Sequence, residues 1–132
     1  MIIKPLKKNT KFVAFISGVN LKNKLSKSEI SILQKNIDIF GVLVFRNQPL
    51  SDDEQVLFSE YFGKIEHSGN KSNITKASER RLSTKLADVS NIDKKSNIFK
   101  KNDPRRIFNL GNRLWHSDSS FKKIPAKYSL LS

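Results

Sequence analysis

The stretch GVLVFRNQPLSDDEQVLFSEYFGKIE, residues 41–66, changes its repeat midway, and that change decides the fold class. It opens on GVLVFR (41–46), a β-branched and apolar run suited to a buried strand. Asn47-Gln48-Pro49 breaks the run, because proline brings no N–H to a ladder. Ser51-Asp52-Asp53-Glu54 then has capping-box spacing, in which the serine hydroxyl and the glutamate carboxylate satisfy free N–H groups at a helix start. Acids in that first turn also meet the favourable end of the helix dipole. Val56, Leu57, Tyr61 and Phe62 give the helix an apolar face, and Gly63 stops it. A strand leading into a helix points to an α+β protein.

The same grammar holds upstream. Phe12 to Ile16 is a short apolar run ending at Ser17-Gly18, a first strand. Ser26-Lys27-Ser28-Glu29 is a second capping box, followed by Ile30, Leu33, Ile37 and Phe40 at helical spacing, with Gly41 as the stop. The order expected is strand, helix, strand, helix.

Downstream the pattern dissolves. Residues 64–106 are rich in Lys, Ser and Asn, with one expected strand at LADVSN (86–91). So long an irregular segment in a small domain suggests a functional loop, such as a lid over an active site. Asp103-Pro104 reads as a turn, and Ile107 to Leu110 resumes an apolar rhythm. Residues 126–131 read as a strand on which the sequence stops at Ser132, so the chain looks interrupted and its last strand looks like an open edge. There is no internal repeat.

Composition narrows the class. At 132 residues with 37% hydrophobic residues and nine Phe, the chain is long enough to bury a core. The absence of cysteine excludes disulfides and thiolate metal sites, and with no signal-peptide pattern it fits a cytoplasmic protein. No run approaches the roughly 20 apolar residues of a membrane helix, so no membrane partner is expected. The net charge of +13 invites a nucleic-acid reading. The lysines, however, scatter from Lys4 to Lys127 rather than gathering on one face, which favours a solvated basic surface.

The chain has only two histidines, and one stands in LWHSDSSF, residues 114–121. His116 and Asp118 could form a surface turn, with Ser119-Ser120 supporting it, or could be two ligands of one ion. On an extended backbone, residues two apart point to the same side. An imidazole and a carboxylate, joined by a second histidine, make the facial triad of non-haem Fe(II) oxygenases. Zn(II) hydrolysis uses similar ligands, so the pair alone does not choose the metal.

Taken together, residues 41–66, LADVSN and NRLWHSDSSFKKIPAKYSLLS (112–132) resemble the TauD/TfdA family of Fe(II)- and 2-oxoglutarate-dependent oxygenases. The likeness is strongest to the branch that includes 2,4-dichlorophenoxyacetate dioxygenase, and it runs from about Leu21 to the last residue. It implies the N-terminal part of a double-stranded β-helix, a jelly roll with flanking helices, with residues 1–132 forming the first portion of a single dioxygenase domain. It implies that His116 and Asp118 are two of three iron ligands, that Asn112 faces substrate, and that Lys71 meets an acidic substrate's carboxylate. A solvated loop lysine is the competing reading for Lys71, and an ordinary surface histidine for His67. Trp115 and Phe121 flank the ligands and are expected to pack.

The implied reaction hydroxylates a small anionic substrate with O2 and the cosubstrate 2-oxoglutarate, releasing succinate and CO2. No histidine follows His116, and the family's third ligand and the Thr and Arg that hold 2-oxoglutarate have no counterpart here. The chain is therefore expected to be inactive alone, and its open edge favours association into a homo-oligomer. Two rivals remain at this stage: a basic, non-catalytic module for nucleic acid or an acidic partner, and a Zn-dependent hydrolase.

Overall fold

The structure, a computed structural model, describes residues 1–66 and 75–132. His67 and Lys71 lie outside the described residues. The chain divides into two compact units, Met1–Gly63 with Ser132 and Lys64–Leu131.

The first unit is a three-stranded mixed sheet with two helices. Strand β1 (Ile2–Pro5) pairs antiparallel with β2 (Val13–Ser17), and β2 pairs parallel with β3 (Val42–Phe45). Parallel neighbours need a crossover, which helix α1 (Lys27–Phe40) provides between β2 and β3. The expected first strand is present, shifted by one residue. β1 was not expected; its Lys4 and Pro5 weaken the strand pattern, and a proline-ending strand is tolerated here because β1 is an edge.

Both capping boxes form as read. Ser26 Oγ accepts from the Glu29 N–H at 3.2 Å while Glu29 accepts from the Ser26 N–H at 2.8 Å. Ser51 and Glu54 repeat the exchange at 3.3 and 2.7 Å, opening helix α2 (Asp52–Glu60). Gly41 ends α1 at φ 72°, with its N–H on the Ile37 carbonyl at 2.8 Å. Helix α2 ends at Glu60, three residues short of the expected stop: Tyr61 and Phe62 form a non-helical turn leading to Gly63. Tyr61 is used elsewhere, its hydroxyl accepting from the Leu25 N–H at 3.2 Å and its carbonyl from Gln34 Nε2 at 2.9 Å.

Strand alternation sorts the sheet into two faces. Ala14 and Ile16 are buried on one face, in the core formed with Leu33 and Phe40 of α1 and Val56 and Phe58 of α2. Phe58 anchors an aromatic cluster, its ring edge-on to Phe45 at 5.6 Å and to Phe62 at 5.4 Å. The opposite face is mostly apolar, interrupted by Lys4 and Ser17. It carries Ile2, Leu6, Val13, Phe15, Val42 and Val44, yet Ile2 is 65% and Leu6 51% exposed. Arg46 lies over the Phe15 ring at 4.4 Å.

The second unit has little regular structure. The 3₁₀ turn Ala77–Glu79 is followed by irregular chain, then helix α3 (Pro104–Asn109) and a 3₁₀ turn Leu110–Arg113. Three expectations fail here. Residues 86–91 are not a strand: Asp88 is drawn into a bidentate pair with Arg81 at 2.9 and 3.0 Å, and the described residues nearby make an isolated bridge instead, Ile92 to Ile98. Asp103-Pro104 is not a turn but a helix start. Asp103 accepts from the Arg105 N–H at 2.9 Å, and Pro104 fills the first position, where a missing N–H costs nothing. Residues 126–131 are not a strand, because among the described residues no neighbouring strand offers them a ladder. The sheet and its helices are thus an α+β arrangement as expected; a jelly roll is not formed by these residues.

Candidate metal centre

Helix α3 and the 3₁₀ turn after it deliver the chain to His116. Asn109 at the helix end holds its approach, with Nδ2 donating to the Ser90 carbonyl at 2.7 Å. Asn112 falls in the 3₁₀ turn, exposed, four residues ahead of His116.

His116 and Asp118 are brought together. Nε2 of His116 lies 3.3 Å from Oδ1 of Asp118, although neither residue is in a strand. The other ring nitrogen, Nδ1, is 2.7 Å from the Leu114 carbonyl oxygen. A carbonyl only accepts, so Nδ1 carries the proton and donates. In the neutral ring, Nε2 then presents its lone pair to a carboxylate oxygen. A metal ion between the two would be met by the Nε2 lone pair and the Oδ1 oxygen together. The second carboxylate oxygen, Oδ2, accepts from Ser129 Oγ at 3.0 Å, which leaves Oδ1 turned toward the imidazole.

The pair fits a first-row metal. Adjacent ligands on an ion with bonds of about 2.1 Å stand about 3 Å apart, near the separation seen. A backbone carbonyl on the distal imidazole nitrogen is the usual outer partner of a ligating histidine. The side chains are 46% and 62% exposed, so an ion would keep open positions toward solvent. Among the described residues, no group of three or more His, Asp or Glu could hold a metal.

The flanking aromatics do not pack as expected. Trp115 is fully exposed and Phe121 is 86% exposed, because no described segment covers that side of the turn. Leu114, Ile124 and Leu131 are also largely exposed. Contacts missed in the sequence are Ser129 on Asp118, and Glu66, which accepts from Ser119 Oγ at 2.9 Å and pairs with Lys122. These partners are 11 to 56 residues apart, and no local signal marks them.

The profile of the Taurine catabolism dioxygenase TauD, TfdA family matches residues 3–132. The chain belongs to that family. It is 36% identical over 121 residues to the alpha-ketoglutarate-dependent 2,4-dichlorophenoxyacetate dioxygenases of Cupriavidus pinatubonensis and of a Burkholderia species. Those matches cover 92% of this chain but only 42% and 40% of the relatives, so the chain spans less than half their length. Among solved structures it is similar to AAD-2 in complex with Mn(II) and N-oxalylglycine, with 39% identity and a TM-score of 0.86. That likeness covers 96% of this chain and 43% of AAD-2. The match of this TauD/TfdA chain thus reaches further toward the N-terminus than the residues from Leu21 onward.

Proposed function

We propose that this chain is the N-terminal portion of a single dioxygenase domain that depends on Fe(II) and 2-oxoglutarate, and that His116 and Asp118 supply two of its metal ligands. The observation that carries the reading is the 3.3 Å approach of Nε2 to Oδ1, with Nδ1 committed to the Leu114 carbonyl. When bound, Fe(II) supplies the redox chemistry that couples loss of CO2 from 2-oxoglutarate to insertion of one O2 oxygen into a substrate C–H bond. The residues here orient that chemistry. Leu114 fixes the imidazole tautomer, Ser129 turns the carboxylate, and Asn112 offers an amide to the substrate. Lys71 supplies positive charge for a carboxylate or sulfonate on a small organic acid. N-oxalylglycine, bound by AAD-2, differs from 2-oxoglutarate by an NH in place of a CH2, which supports the same cosubstrate here.

The test titrates a metal ion into the chain. Mn(II) should broaden the His116 ring resonances at low concentration, and Asp118→Ala should move that broadening to markedly higher Mn(II). The same Mn(II) dependence in wild type and Asp118→Ala would leave an ordinary imidazolium–carboxylate pair as the explanation of the geometry.

A further inference from the structure

The turn that carries Asp118 is held from a distant part of the sequence. Ser119, directly after Asp118, has φ 55°, a left-handed conformation uncommon for a non-glycine residue. Its hydroxyl donates to Oε1 of Glu66 at 2.9 Å, and the Lys122 ammonium reaches the same oxygen. Thus one carboxylate oxygen, from a residue 53 positions earlier, gathers both ends of the turn 119–122. The Glu66 and Lys122 side chains are each 35% exposed, so the contact lies at the surface. The ammonium and then the hydroxyl hold the Glu66 carboxyl below the usual carboxylate range, while the nearby Asp118 charge opposes them.

We propose that Glu66 is a positioning residue for the metal pair: by accepting from Ser119 and Lys122 it fixes the turn after Asp118 and so keeps Oδ1 facing the His116 imidazole. The role rests on the metal reading given above. Glu66 touches neither His116 nor Asp118 through a hydrogen bond, so it acts through Ser119. The backbone of Ser119 continues directly from Asp118, and a turn free to leave its left-handed geometry swings the carboxylate away from Nε2.

The experiment measures Mn(II) affinity through broadening of the His116 ring in the 132-residue chain and three variants. Glu66→Ala should weaken binding roughly five- to tenfold, at the lower end of what loss of an outer-shell partner costs a metal site. Glu66→Gln keeps an oxygen that accepts from both donors and should stay within about twofold of wild type. Ser119→Gly removes the hydroxyl without backbone strain and leaves the charge unchanged; it should match Glu66→Ala, and combining the two should weaken binding no further. If Glu66→Ala binds like wild type, Glu66 positions nothing. If Glu66→Gln is as weak as Glu66→Ala, its influence is charge alone, and the inference falls while the metal reading stands. If the His116 ring is not broadened at low Mn(II) even in wild type, both fall together.

Discussion

At the scale of single residues, the proposed ligand pair could be picked out because its members are close in sequence. His116 and Asp118 are two positions apart, and the carbonyl that orients the imidazole belongs to Leu114, two positions before it. The rest of the shell was hidden, since Ser129 and Glu66 reach the turn across sequence distances that carry no periodic trace. Ser129→Ala should therefore lower Mn(II) affinity less than Asp118→Ala does, because it frees Oδ2 without removing a ligand; an equal loss in the two would mean that Ser129 holds the fold of the turn. The exposure of Trp115 was misread for a related reason: an aromatic beside a motif implies packing only if something packs on it. As the chain's single tryptophan it reports cleanly. Its emission should be that of an indole in water and should be quenched freely by acrylamide. A blue-shifted, protected emission would show that the chain covers Trp115 in solution.

Among the elements, the two helix starts marked by capping boxes were read correctly, whereas the end of α2, the helix start at Asp103-Pro104 and the segments that depend on partners were not. Helices α1 and α2 announce themselves by capping boxes and apolar spacing, whereas 86–91 and 126–131 have strand-like composition but no neighbour. β1 shows the reverse case, a weak pattern made into a strand by pairing with β2. The acidic groups that begin the helices also set an acid sensitivity. Backbone N–H groups of Ser51 and Ser26 lower the carboxyls of Glu54 and Glu29, and the Arg105 guanidinium draws Asp103 down to about 2 from an ordinary 3.8. A lowered folded-state value gives stability that is complete above the unfolded value and lost as pH falls through the folded one. For Asp103 that window runs from 3.8 down to about 2. Amide exchange at the start of α3 should therefore accelerate as pH is lowered from 4 to 2 relative to the intrinsic rate, and Asp103→Asn should flatten that dependence. In the core, Leu33 is 1% exposed, and Leu33→Ala should cost about 2–5 kcal/mol in urea unfolding of the first unit. A loss under about 1 kcal/mol would mean that this core is loosely packed in solution.

For the whole molecule, the decisive feature is a sheet that is mostly apolar on both sides but covered by helices on one. A sheet meant to face water alternates apolar and polar residues, whereas near-continuous apolar strands such as VLVF mark burial of both faces. The open side leaves Ile2, Leu6 and Val42 exposed, an apolar surface suited to packing against another layer. The proposed ligand pair is likewise only part of a metal site. The curated relatives are more than twice as long, and the resemblance assigns the third ligand and the residues that clamp 2-oxoglutarate to positions with no counterpart in these 132 residues. One imidazole and one carboxylate leave a metal ion largely in the hands of water, so its hold on a cosubstrate is weak. The 132-residue chain alone, supplied with Fe(II), ascorbate, 2-oxoglutarate and candidate organic acids, should thus release succinate only at the rate of a protein-free control. Its open apolar faces should also make it self-associate, with a sedimentation coefficient that rises with concentration. Succinate release above control that disappears in His116→Ala would show that association completes the site, with a second copy bringing the missing ligand. Release above control that survives His116→Ala would remove His116 from the metal centre altogether.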